Sequence, residues 1–236
     1  MEPVPDDWER ALAIVAHPDD MEYGAAAAVA HWTAQGKRVT YLLVTRGETG
    51  IDALAPEDCA RVREAEERAS AAIVGVDTVE FLDDHRDGLI EYGLPLRRDL
   101  ALAIRRHRPE VLITLNHRET WGGGNLNMAD HRHVGLAALD AARDAANPWL
   151  FRSAGDAAGP GPWSGARLAL IAGSSDATHY VDVSGELELG IASLEAHARY
   201  LRHVGTDARQ FLTSMAEQVG GACGVPYATA FELVAL

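Results

Sequence analysis

The stretch Ile14-Val15-Ala16-His17-Pro18-Asp19-Asp20-Met21-Glu22-Tyr23-Gly24 sets a histidine and two aspartates directly after an apolar run. His17 offers an imidazole nitrogen and Asp20 a carboxylate oxygen, and a tight turn at Pro18 can aim both at one cation. Asp19 lies between them, poorly placed to bind the same cation beside its neighbour. It is therefore free to take a proton from water, whose pKa a bound zinc ion lowers to about 7. The plainer alternative is that Asp19 and Asp20 cap a helix N-terminus, where carboxylates are favoured by exposed N–H groups and the helix dipole. The His-Pro ahead of them, at the tip of a strand where open α/β sheets place their sites, favours the cation.

Ala16-His17-Pro18-Asp19-Asp20-x-Glu22 at the end of the first strand resembles the signature of the PIG-L/LmbE-like deacetylases. These are zinc hydrolases that remove N-acyl groups from glucosamine-containing substrates. The resemblance spans roughly residues 11–200 and implies a Rossmann-like fold. Downstream, Asp130-His131 opens a helix, so that His131 stands on its first turn and faces the strand tips. His131 matches the third metal ligand of the family, with Asp130 available as the outer carboxylate that fixes a histidine. Two histidines and one carboxylate with an open position make a catalytic zinc pattern, though such a set also accepts Fe2+ or another divalent ion.

Other assignments come only with the resemblance. An Arg-x-x-Glu at Arg63 and Glu66 matches one whose arginine reaches the sugar, so Arg63 is a substrate-binding candidate; on its residues alone the pair reads as a surface ion pair. The family's Asp-Gly falls on Asp87-Gly88 and implies that Asp87 meets substrate. The loop Thr45-Arg46-Gly47-Glu48-Thr49-Gly50 matches one near the active site, with Glu48 as its candidate. One position departs from the pattern: some members carry a second histidine three residues before the ligand, stabilising the oxyanion, where this chain has Met128. Methionine donates no hydrogen bond, and losing one such donor costs about 10²–10³ in rate. The role falls to the metal, to His117, His133 or His179, or goes unfilled; His117, at a strand tip, is kept as a substrate-facing candidate.

The elements that must position these groups follow from apolar pattern and punctuation. Residues 11–16 read as a strand, 22–35 as a helix closed by Gly36, and 39–44 as a buried strand, which together make a right-handed crossover unit. Further elements are a helix over 56–75, a strand over 78–82, a helix over 94–107, a strand over 111–115 and a helix from 130 to about 145. Residues 147–165 read as a loop, 167–172 and 179–183 as strands, 186–203 as a helix, 206 or 207 to 220 as another, and 228–234 as a last strand. The stretch 118–127, with Trp121 beside Gly122-Gly123-Gly124, has the makings of a substrate-covering lid. His85, His179 and His197 read as structural. The expected fold is a single-domain three-layer α/β sandwich over residues 1–236 with a largely parallel, Rossmann-like sheet.

With 236 residues and 47% apolar content, the chain supports one such domain. A net charge of −14 argues against a nucleic-acid partner. The arginines at 97, 98, 105, 106 and 108 read as a solvated helix face. No run approaches a membrane span, and the acidic start Met1-Glu2-Pro3-Val4-Pro5-Asp6-Asp7 is unlike a signal peptide, so a cytoplasmic location is expected. Cys59 and Cys223 form no ligand pattern, and the sequence leaves self-association open.

The expected reaction is hydrolysis of an N-acyl amide, N-acetyl first, on a small-molecule acylated amino sugar or glycoconjugate. Three alternatives stay open. One is a hydrolase for a longer acyl chain or larger conjugate, with the lid and the loop around Trp163 shaping a bigger pocket. Another is a dinucleotide binder, opposed by the acids where a pyrophosphate would sit. The third is a non-catalytic relative.

Overall fold

Alternation inside buried strands sorts the core into two layers. In β2 (Arg10–Val15), Ala11, Ala13 and Val15 pack with Met21, Ala28 and Trp32, while Leu12, Ile14 and the following Ala16 belong with Leu96, Leu100 and Ala137 on the other side. A strand apolar on both faces must be covered by helices on both, which makes three layers.

The computed structural model describes residues 1–151 and 160–236. Before β2 stands a two-residue strand, β1 (Glu2–Pro3); after it come α1 (Asp20–Gly24), α2 (Ala26–Ala34), β3 (Arg38–Leu43), α3 (Pro56–Ile73) and β4 (Thr78–Phe81). The chain continues through α4 (Leu94–His107), β5 (Val111–Leu115), α5 (Ala129–Ala146), β6 (Leu168–Ala172) and β7 (His179–Asp182). It ends with α6 (Leu187–Glu195), α7 (Ala198–Val204), α8 (Ala208–Cys223) and β8 (Ala228–Ala235). The eight strands lie in the order β1-β7-β8-β6-β5-β2-β3-β4, all parallel to their neighbours except β8, which runs antiparallel to β6 and β7. This is the expected single α/β domain.

From β2 the chain winds outward to β3 and β4, then returns to lay β5 and β6 on the other side of β2. The reversal opens a crevice between the C-terminal ends of β2 and β5, where such sheets bind ligands. His17 follows β2, and Asn116 and His117 follow β5.

Several boundaries differ from the expected ones for local reasons. The helix expected over 22–35 begins at Asp20 and breaks at Ala25, whose backbone leaves the helical region at φ −152° and ψ 0°. A Cβ on Gly24 would come within 2.9 Å of Leu115 Cδ2, so the break lets α1 sit directly on the tip of β5. The helix expected over 186–203 divides around Ala196 and His197, and α8 runs past Gly220 to Cys223. Gly220 faces the Val225 and Pro226 carbonyls, closer than any side chain allows, which is packing rather than termination. Arg105 does not join a solvated face: it is buried and donates to the carbonyls of Asp144, Ala145, Asn147 and Leu150, closing the end of α5, while Arg97 pairs with Asp144 through two bonds. The loop expected over 147–165 lies partly outside the described residues. Trp163 is described, and its indole donates to the Pro109 carbonyl ahead of β5, at the end of the sheet opposite the crevice. Trp163 itself therefore stands away from the crevice, and residues 152–159 of the loop expected to shape a larger pocket lie outside the described residues.

α5 must approach β5 closely to bring its first turn to the crevice. At Gly135 a Cβ would stand 2.7 Å from the Leu115 carbonyl oxygen and 2.9 Å from His117 Cβ. Gly135→Ala is expected to destabilise the fold by about 1–3 kcal/mol through overpacking, while Gly185→Ala, where nothing lies within 4 Å, stays within about 0.5 kcal/mol. Denaturant unfolding of the two variants measures the difference.

Candidate metal centre

The tip of β2 turns at once into α1, and the turn itself builds the first half of the site. Asp20 opens α1, and its Oδ2 accepts the N–H groups of Ala16 and His17, each at 2.9 Å, which folds the carboxylate back against the strand end. His131, on the first turn of α5, arrives from across the crevice. Its Nε2 lies 3.2 Å from His17 Nδ1 and 3.1 Å from Asp20 Oδ1, and His17 Nδ1 lies 3.7 Å from Asp20 Oδ2.

The outer bonds decide which nitrogens are free. His17 Nε2 faces Asp87 Oδ1 at 3.0 Å and Asp130 Oδ2 at 3.2 Å, so its proton belongs there and Nδ1 turns its lone pair inward. His131 Nδ1 lies 3.1 Å from Asn127 Oδ1, leaving Nε2 as the inward atom. Two lone pairs and a carboxylate thus meet at one point. A tetrahedral ion with ligands about 2.0–2.2 Å away has ligand–ligand edges of roughly 3.3–3.6 Å, close to the 3.2 and 3.1 Å at which His131 Nε2 stands from His17 Nδ1 and Asp20 Oδ1. The residues fit a divalent cation.

The carboxylates are tied in turn. Asp87 is buried, with Oδ2 accepting the Thr49 N–H at 2.7 Å and the Thr49 hydroxyl at 2.8 Å, and its own N–H goes to Glu48 Oε1 at 2.9 Å. Asp130 accepts the Gly88 and Ile90 N–H groups at 2.7 and 3.3 Å. The loop from Thr45 to Gly50 is thereby part of the site's wall, as expected. Burial raises the Asp87 carboxyl, but the bond to His17 outweighs it and draws the group down to about 2. Against the same cost of burial, His131 and then His17 hold Asp20 well below the usual carboxylate range. Burial also opposes charge on His17, yet its bonds to Asp130, Asp20 and Asp87 raise it well above an ordinary histidine.

Asp19 has a different environment. Its backbone is left-handed at φ 94°, which an aspartate tolerates only when its surroundings impose it. Arg63 Nη2 donates to Asp19 Oδ1 at 2.7 Å and to the Pro18 carbonyl, and its guanidinium carbon lies 3.9 Å from the centre of the Tyr200 ring. Burial pushes the Asp19 carboxyl up to about 6, against the pull of Arg63. Gly47 and Gly50 are required beside this arginine, because a Cβ on either would collide with its guanidinium.

Some candidates stand elsewhere than their sequence suggests. Arg63 is only 2% exposed and spends its charge on Asp19, while Glu66 accepts the Arg199 N–H at 2.6 Å, so the two form no surface ion pair. Asp130 turns to His17, not to its neighbour His131. His117 is half-buried with Nδ1 lacking a hydrogen-bond partner, close to Arg118 and Glu232. His133 is bonded to the Ile90 carbonyl, and Met128 stands 44% exposed at the start of α5. The loop over 118–127 is an ordered hairpin, closed by Trp121 N–H to Asn125 O and Asn127 N–H to Glu119 O, both 2.8 Å. Its Trp121 ring lies 5.8 Å from the His131 ring, edge to face. Asn127 escaped sequence reading, although its place four residues before His131 on the way into α5 was a usable signal. So did Thr49, whose hydroxyl and amide have no signature in the sequence.

Comparison with known proteins follows this geometry. The family description "PIG-L: GlcNAc-PI de-N-acetylase" matches residues 12–142. The chain is 30% identical to a 1D-myo-inositol 2-acetamido-2-deoxy-alpha-D-glucopyranoside deacetylase of Acidothermus cellulolyticus, over 79% of this chain and 78% of that one. It is 27% identical to the protein of the same name from Kineococcus radiotolerans, over 82% and 69%. The structure of N,N'-diacetylchitobiose deacetylase from Pyrococcus horikoshii superposes with a TM-score of 0.85 at 22% identity, covering 97% of this chain and 84% of that one, and so shares the fold. With its match extending from within β2 into α5, the chain belongs to the PIG-L family.

Proposed function

We propose that the protein is a zinc-dependent N-deacylase that removes an acetyl group from an amino-sugar-containing small molecule. The observation that carries the reading is the convergence of His17 Nδ1, His131 Nε2 and Asp20 Oδ1 from two distant pieces of chain, with the carboxylate of Asp19 next in sequence. The relatives' names support the substrate class, since both curated ones are deacetylases of an acetamido-sugar inositol conjugate.

His17, Asp20 and His131 would hold the cation, which when bound acidifies water and polarises the acyl carbonyl. Asp87 and Asp130 keep the His17 proton on Nε2, and Asn127 keeps the His131 proton on Nδ1, so both rings present the correct atom. Asp19 takes a proton from the attacking water. Water's oxygen bonds to the acyl carbon, the C–N bond breaks, and Asp19 returns its proton to the departing nitrogen; the water's second proton follows from the new carboxyl to the amine, giving a carboxylate and an ammonium. A base with a carboxyl pushed up to about 6 is suited to both transfers. Arg63 orients Asp19 through its bond to Oδ1. His117 and the Trp121 hairpin, whose ring lies 5.8 Å from that of His131, would meet the sugar.

Leu89, Leu126 and Met128 favour a second reading of the substrate. They are 71%, 77% and 44% exposed, and they flank Gly88, Asn127 and Asp130, the residues that tie the site together. An apolar rim suits a conjugate with a greasy partner or a longer acyl chain.

Amine release from acetylated amino sugars should vanish when a chelator strips the metal and return on adding zinc; undiminished turnover by protein shown to be metal-free would refute the reading. Asp19→Asn should lower kcat by about 10²–10⁴ with the bound metal retained, as metal analysis alongside kinetics would show, whereas His131→Ala should lose the metal as well. If the apolar rim sets the substrate, kcat/KM should rise from free N-acetylglucosamine to glycosides with an apolar aglycone, and Leu126→Ser should remove that gain.

A further inference from the structure

Behind Asp19 lies a second buried cluster that the chemistry above does not use. Glu22 on α1, Glu67 and Ser70 on α3, Ser193 on α6 and His197 at the α6–α7 break are all at most 1% exposed. Ser70 donates to Glu22 Oε1 at 2.6 Å and shares a 2.7 Å bond with Ser193. His197 Nε2 stands 3.6 Å from Glu22 Oε2 and 3.7 Å from Glu67 Oε2, and neither of its ring nitrogens has a hydrogen-bond partner. Burying so many polar atoms is costly unless the arrangement serves something. Among the described residues, a bond leaves the cluster toward the crevice from the Asp19 N–H to Glu67 Oε2, at 3.2 Å.

That bond lands on the residue with the left-handed backbone. Arg63 and Glu67 are four apart on α3, hence on one helix face. The first grips the Asp19 carboxylate and the Pro18 carbonyl; the second grips the Asp19 amide. A peptide held at its side chain, its N–H and the preceding carbonyl has no freedom to relax from φ 94° to the ordinary helical region. Relaxation would swing the Asp19 side chain away from Asp20 and the inward nitrogens.

We propose that Glu67 is a positioning residue for the base: its Oε2 clamps the Asp19 amide, with His197 Nε2 standing 3.7 Å behind that oxygen. The inference rests on the assignment of Asp19 as base. A second cation is the competing account of the same cluster, since Glu22, Glu67 and His197 have the donor types to bind one. Glu67 Oε2 is engaged by the Asp19 amide and Glu22 Oε1 by Ser70, while Glu22 Oε2, Glu67 Oε1 and both His197 nitrogens have no hydrogen-bond partner among the described residues, so the number of zinc ions per chain separates the two accounts.

The test compares Glu67→Gln, which keeps an accepting oxygen, with Glu67→Leu, which fills similar space without one; Glu67→Met takes the latter's place should the leucine variant not fold. In the zinc-loaded enzyme the apolar variant should lose about 10–100-fold in kcat with KM and zinc content unchanged, and Glu67→Gln should recover most of the loss. Crystal structures should show the Asp19 backbone left-handed in Glu67→Gln and relaxed in the apolar variant. Equal losses in both variants, full kcat in the apolar one, or a second zinc per chain in the wild type that disappears in Glu67→Gln would overturn the proposal. If the wild type hydrolyses no acetylated amino sugar, the functional reading fails, while the Asp19 backbone still decides the clamp.

Discussion

The ring of His17 is the interaction on which the site depends. One nitrogen is shared by the buried carboxylates of Asp87 and Asp130, and this forces the other toward His131 and Asp20. Four aspartates, at positions 19, 20, 87 and 130, are each at most 5% exposed around this ring. Buried carboxylates persist only when paired, hydrogen-bonded or coordinated. Arg63, the two histidines and the backbone amides of Ala16, His17, Thr49, Gly88 and Ile90 supply part of that compensation. A divalent cation at the inward point would supply the rest.

The fold can be understood as the means of bringing those carboxylates to one ring. Asp20 comes from the end of β2, Asp87 from the loop after β4 and Asp130 from the start of α5, and only the return from β4 to β5 across β2 brings the three together. Close packing sets their reach. Gly24 seats α1 on β5 and β6, Gly135 seats α5 on the end of β5, and Gly47 and Gly50 let the loop after β3 close over Arg63. On the same principle Arg63 and Glu67 approach Asp19 from one face of α3, so the base and the inward nitrogens are set by different helices against one strand tip.

Much of this was legible in the chain. The strands buried on both faces and the helices on either side follow from local pattern and residue type, while the pairing of the His17 motif with His131 came with the family resemblance. What escaped is what depends on distance in space. Arg63 looked like a surface residue because its helix spacing is unremarkable, yet α3 lies against the turn at Pro18 and Asp19 and buries its guanidinium. Asp87 was expected at substrate only through the family's Asp-Gly, and the bonds of its oxygens to Thr49 and His17 depend on neighbours distant in sequence. His197 looked structural and is fully buried, but nothing in the sequence joins it to Glu22 and Glu67. The breaks at Ala25 and His197 were hidden because alanine-rich and leucine-rich helical periods run straight through them, and only packing interrupts them.

The central claim is that residues from the tip of β2 and the first turn of α5 hold a single cation. Anomalous diffraction from crystals grown with zinc, recorded on either side of the zinc absorption edge, tests it directly. The account predicts one peak per chain in the crevice, with His17 Nδ1, His131 Nε2 and an Asp20 oxygen each about 2.0–2.2 Å away. No peak there, or a peak seated instead between Glu22, Glu67 and His197, would contradict it.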